Sequence, residues 1–98
     1  MAIEWKHKTV DLSVNSTEVE AVPCLVSGAY INTTLSAHAC PIKDGTTGNQ
    51  FTIPASAATG DSFNFGPTRY TENLTVDPDD AATGSVVIIY VVLSEPHG

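Results

Sequence analysis

Residues 86–93, Val-Val-Ile-Ile-Tyr-Val-Val-Leu, form eight consecutive apolar positions, most of them β-branched. Such side chains favour extended backbone, and a strand with one wet face alternates apolar and polar residues. An unbroken run therefore predicts a strand covered on both faces, by its own domain or by another copy of the chain. Val87, Ile89 and Val91 are assigned to that role, as core or subunit-interface residues of the closing strand. The run is far short of the roughly 20 apolar residues that cross a bilayer, and Glu95 and His97 follow it. Neither a membrane anchor nor a membrane partner is expected.

The rest of the chain reads as shorter strands. Val10, Leu12 and Val14 alternate with Thr9, Asp11 and Ser13, which predicts a half-buried strand over 8–14. Val22, Cys24 and Val26 face one way, with Pro23 favouring an edge or a strand start, and Ser27-Gly28 is expected to bend the chain. Residues 29–35 and 36–41 are further extended pieces. Asp44-Gly45, with Gly48-Asn49 behind it, is the strongest hairpin signal, because such pairs accept the positive φ a tight turn needs. Residues 50–54 and 62–65 follow as strands, the second expected to stop at Gly66-Pro67. Between them, 55–60 is a small-residue loop or a single helical turn. A short strand over 72–76 and the turn region 77–84 lead into the last strand.

Seven or eight short strands, with turn signals every 8–12 residues and no sustained helical period, predict an all-β chain. The expected architecture is a compact antiparallel β-sandwich or jelly-roll-like barrel: residues 9–98 as a single domain, residues 1–8 as an extended N-terminal arm.

Charge is unevenly placed. The net charge is −7 with only four Lys and Arg, too few to build a phosphate-binding surface, so a nucleic-acid partner is not expected. Residues 9–98 carry Lys43 and Arg69 against ten acids, a net of −8. At the other end, Lys6 and Lys8 flank His7 beside Trp5, making a small basic and aromatic segment on an acidic body. Ile3, Trp5, Lys6 and Lys8 are the expected partner-binding residues, since an indole delivers a large contact area at little entropic cost. In extended backbone Ile3, Trp5 and His7 share one face, and Glu4, Lys6 and Lys8 the other. The competing reading is an ordinary first strand with solvated lysines. The opening residues, Met1 to Lys6, hold no apolar signal core, which favours synthesis in the cytoplasm.

Chemistry-bearing residues are sparse. Cys24 and Cys40 lack metal-ligand spacing; they read as small core residues, or as a disulfide if their strands are neighbours. His38 and Cys40 would share a strand face about 7 Å apart, but two ligands do not make a site. Asp77, Asp79 and Asp80 resemble the start of a calcium loop, yet Pro78 interrupts it and the closing Glu is missing, so a solvated turn is expected. The acceptor-like triplets at Asn15, Asn32 and Asn73 read as turn and strand chemistry. No phosphate-binding loop or nucleophile elbow is present. No enzymatic activity, metal or cofactor is expected.

The charged N-terminal segment 2–8, the small-residue loops 55–60 and 81–84, and the closing strand 86–93 together give the chain a family resemblance. It resembles the small head decoration, or cement, proteins of tailed-phage capsids. That resemblance implies a structural virion protein that binds the outer surface of the expanded capsid, contacts the major capsid protein, associates as a homotrimer and extends a sheet of the shell with its N-terminal arm. It would be made in the host cytoplasm and located on the virion. The alternative is a β-sandwich adhesion module of a tail or head fibre, whose loops 43–50, 55–61 and 77–84 recognise carbohydrate or protein.

Overall fold

The structure is a computed structural model that describes residues 5–14, 16–45 and 48–92. Eight strands fill it: β1 (Lys6–Asp11), β2 (Thr17–Glu20), β3 (Cys24–Thr33), β4 (Cys40–Asp44), β5 (Gly48–Ile53), β6 (Ser62–Tyr70), β7 (Leu74–Val76) and β8 (Ser85–Val92). They form two antiparallel four-stranded sheets, β1-β8-β3-β6 (sheet A) and β2-β7-β4-β5 (sheet B).

This order has a simple physical origin. The β4–β5 hairpin at Asp44 and Gly48 is the tip of one long folded ribbon, in which β3 lies against β6, β2 against β7 and β1 against β8. Rolling that ribbon adds the pairs β3–β8 and β4–β7, which close the two sheets. The result is a jelly roll, an all-β sandwich as the strand pattern predicts. Between the sheets lie Val10, Leu12, Cys24, Val26, Ile31, Ile42, Ile53, Tyr70, Leu74, Val76, Val86 and Ile88, all fully buried. Phe51 and Phe65 stack with centroids 4.4 Å apart, joining β5 to β6.

Several boundaries differ from the sequence reading. β1 begins at Lys6 and ends at Asp11, so Val14 leaves the expected face and stands 53% exposed; Asp11 Oδ1 accepts the Ser13 N–H at 2.9 Å and turns the chain early. Ser27-Gly28 does not break the strand: β3 runs ten residues with a bulge between Val26 and Gly28. A Cβ at Gly28 would sit 2.4 Å from the Phe63 carbonyl oxygen, so the bulge depends on the missing side chain. β6 likewise passes through Gly66 and a cis Pro67. Proline is tolerated there because β6 is an edge strand, and the Asn64 side chain takes the Gly66 N–H at 2.9 Å. Residues 55–60 are loop, with Ala57 buried against the core and its carbonyl accepting the Leu35 N–H.

One buried charge fixes the β6–β7 corner. Asp44, 1% exposed, accepts the N–H groups of Thr71 (2.7 Å), Glu72 (2.8 Å) and Asn73 (3.3 Å), together with the Thr71 hydroxyl. Burial opposes its ionisation, but these donors outweigh burial and hold the carboxyl below its ordinary value. A depressed folded pKa stabilises the fold above the unfolded value of about 4 and loses that contribution as pH falls through the folded pKa. Asp44→Ala is therefore expected to cost about 3 kcal/mol at pH 7, measured by urea unfolding. The difference between variant and wild type should shrink below about pH 4; an unchanged difference at pH 2.5 would refute the role.

Tyr70 carries the opposite signature. It is fully buried, and its hydroxyl has no hydrogen-bond partner among the described residues. Removing an unsatisfied polar atom relieves its desolvation cost. Tyr70→Phe is expected to match or exceed wild-type stability, while Tyr70→Ala loses about 3–5 kcal/mol; thermal melts of both variants check this.

Candidate functional site

Register places the outer face of sheet A in rows. Val91 of β8 lies between Leu25 of β3 and the position of Trp5, which directly precedes β1, and Leu25 is followed by Arg69 of β6. The second row is His7, Ile89, Gly28 and Asn64; the third is Thr9, Val87, Tyr30 and Ser62. The middle of this grid is apolar. Leu25, Ile89 and Val91 are half-buried, and Tyr30 (38%) and Trp5 (41%) are exposed. An antiparallel sheet with a free face normally carries polar residues there. At the β3 bulge the grid dips, because Gly28 has no side chain; Ser27, Tyr30, Ser62, Asn64 and Ile89 surround a depression of about 270 Å³.

The closing strand thus uses its two faces differently. Val86, Ile88 and Tyr90 fill the core, whereas Val87, Ile89 and Val91 all point to the outer side of sheet A. Of these three only Val87 is buried, and it does not belong to the core cluster. Among the described residues, the expectation of a strand covered on both faces is met by the opposite sheet on one face alone.

The expected N-terminal contact set divides. Ile3 lies outside the described residues. From Lys6 onward the segment read as an arm is a strand of the sandwich, with Lys6 opposite Tyr90 and Lys8 opposite Ile88. Trp5, His7 and Thr9 alternate toward the outer face, while Lys6 and Lys8 share register with core residues. Both lysines are nevertheless exposed. β1 is an edge strand of sheet A, so both stand at the rim of the sandwich. At that rim the Tyr90 hydroxyl donates to Glu20, and burial followed by the Glu20 charge pushes the phenol pKa up. Neither lysine has an ion-pair partner among the described residues.

The structure also assembles a constellation that the sequence hides. Ser36 Oγ lies 3.2 Å from His38 Nδ1, and His38 Nε2 lies 4.0 Å from Asp79 Oδ1. These are the residue types of a hydrolytic triad, but each has a local task. Ser36 Oγ accepts the Thr83 N–H at 3.1 Å, Asp79 Oδ1 accepts the Ala81 N–H at 2.9 Å, and the His–Asp distance exceeds a hydrogen bond. The three residues pin the 34–39 loop to the 77–84 loop. No sequence signal links positions about forty apart; only the roll brings them together. Asp77 pairs with Lys43 at 2.7 Å, Asn73 Oδ1 accepts the Gly45 N–H at 3.0 Å, and Asp79 shapes its own turn. Among the described residues no three His, Cys, Asp or Glu side chains cluster as metal ligands would.

Cys24 and Cys40 are free and buried, in sheets A and B respectively. Burial pushes both thiols up to about 12, with further contributions from Glu20 and Asp44 at Cys24 and from Asp77 at Cys40. Fully protonated, inaccessible thiols do not attack electrophiles. At pH 8 neither is expected to react with a maleimide within an hour in the folded protein, whereas both react in 6 M guanidinium; mass spectrometry counts the adducts.

Comparison with known proteins supplies no relative, since no family model, no curated protein and no solved structure matches the chain.

Proposed function

We propose that this chain is a structural subunit of a larger assembly, a protein that coats the outside of a tailed-phage capsid and stabilises it. One observation carries the reading: Leu25, Val87, Ile89 and Val91, with Tyr30 and Trp5, place a continuous apolar grid on the outer face of a sheet on which, among the described residues, no second layer packs. Apolar area removed from water contributes about 25 cal/mol per Å², so covering this face favours association. The resemblance to decoration proteins supplies the setting, a shell whose subunits present many identical docking positions.

Lys6 and Lys8, without an ion-pair partner among the described residues, give the contact with the shell its electrostatics. Lys6 and Lys8 stand exposed on the edge strand of an otherwise acidic chain, so they fit an acidic surface of the capsid protein. Because β1 is part of the sandwich, point variants are a better probe than deletion of residues 1–8. Lys6→Glu/Lys8→Glu is expected to keep the wild-type melting temperature and to bind expanded empty shells at least tenfold more weakly, measured by co-sedimentation with shells of a tailed-phage major capsid protein. Unchanged binding would remove the lysines from the docking surface.

A second reading has one observation in its favour. Tyr30 stands at the edge of the Gly28 depression with Asn64 and Ser62 beside it, an aromatic face next to polar groups of the kind that holds a sugar ring. Adhesion would then act through the sheet face and not through the loops. Binding to a glycan array that is lost in Tyr30→Ala would establish it in place of the coat role.

A further inference from the structure

We infer that the outer face of sheet A is covered by a second copy of the same chain, packed face to face about a twofold axis that runs along the strands between β8 and β3. This rests on the reading of that face as a contact surface, and it names the occupant.

Three features of the grid point to self-association. First, none of the described acidic residues lies in the three rows from Trp5–Val91–Leu25–Arg69 to Thr9–Val87–Tyr30–Ser62. Two chains of net charge −7 repel over most of their surface, and these three rows meet without opposing carboxylates; Asp11, the next outward position of β1 after Thr9, lies just beyond them. Second, the axis lies at the centre of a four-stranded sheet, so rotation lays β8 on the partner's β3 and β1 on the partner's β6. The rows then match chemically. Val91 meets Leu25 and Val87 meets Tyr30. Trp5 meets Arg69, an exposed guanidinium with no ion pair among the described residues, in cation–π geometry. Third, the surface is complementary in relief: Ile89 projects from β8 toward the partner's Gly28 hollow, and the hollow beside it receives the partner's Ile89.

The size of the face sets the strength. Four strands about 4.8 Å apart and three rows about 6.8 Å apart give a footprint of roughly 400 Å² per copy. That is about half of what a standard specific interface buries on each side, so the dimer is weak, with Kd above about 1 μM. The geometry makes the association twofold, in place of the threefold grouping that the resemblance implies.

Sedimentation equilibrium from 5 μM to 1 mM tests the state. The expected result is a reversible monomer–dimer equilibrium that weakens about thirtyfold or more in Ile89→Glu, where a buried unpaired charge is introduced. Arg69→Glu, an exposed rim change that leaves folding intact, should weaken it as well. The axis is tested by mixing His7→Cys with Asn64→Cys and adding a short bis-maleimide; the native thiols are buried and stay silent. Cross-linking in the mixture but in neither variant alone is expected, and cross-linking of His7→Cys with itself would overturn the axis. A monomer at 1 mM overturns the inference. If that monomer loses binding to expanded empty shells in Ile89→Glu, the face is a contact for the capsid protein and the proposed function stands. If Ile89→Glu binds shells as wild type does, both readings fall.

Discussion

The fold depends on β8 holding the centre of sheet A. It is hydrogen-bonded to β1 on one edge and β3 on the other, and these pairings join the two ends of the chain to its middle. Non-local pairing of this kind is slow to form and cooperative once formed, because each added row needs a loop already closed. Its sequence suits the position. A central strand has no free backbone edge to protect, so it tolerates an unbroken β-branched run that would be an aggregation hazard at an edge. In sheet A the proline and the charges fall instead on the edges: Pro67 and Arg69 on β6, Lys6, Lys8 and Asp11 on β1.

That distribution explains which parts of the structure could be read from the chain alone. Alternation identified the all-β class and most of the strands, because burial on one face imposes a period of two directly on the residues. It failed where a backbone group is satisfied by something other than a ladder partner. Gly66-Pro67 looks like a strand end, yet Asn64 supplies the missing acceptor and the edge position removes the need for a proline N–H. Ser27-Gly28 looks like a bend, yet a bulge absorbs the extra residue. Asp44 looks like a turn residue of its own hairpin; its carboxylate in fact organises residues 71–73, about thirty positions away. Strand order could not be read locally, since it is a property of how the ribbon rolls.

The candidate site was legible in the same partial way. The continuous run announced two buried faces, but sequence could not say which alternate set faced inward. The register answers that: even-numbered positions 86, 88 and 90 belong to the core, odd-numbered positions 87, 89 and 91 to the outer face. The basic segment was visible as composition, but not its division into Trp5 on one face and the lysines on the other. Tyr30, Leu25 and Gly28 were missed as site residues, because nothing in the linear sequence sets them beside 87–91.

Lys6 and Lys8 have a structural consequence beside the docking role proposed for them. Inward-facing charges on an edge strand discourage another strand from adding to it, since pairing would draw them toward the apolar interior. Extension of a foreign sheet by β1, the mode the resemblance implies, therefore meets resistance from the same lysines that would attract an acidic partner. Docking through side chains at the rim avoids this conflict; docking through the backbone edge does not. A weak face-to-face pair complements such rim contacts. In the proposed assembly two copies held together would present two lysine rims at once, and linked weak contacts on an ordered lattice would multiply into firm attachment. The modest area of the sheet A face is then consistent with its role, because neither contact needs to be strong when the shell fixes the positions of both.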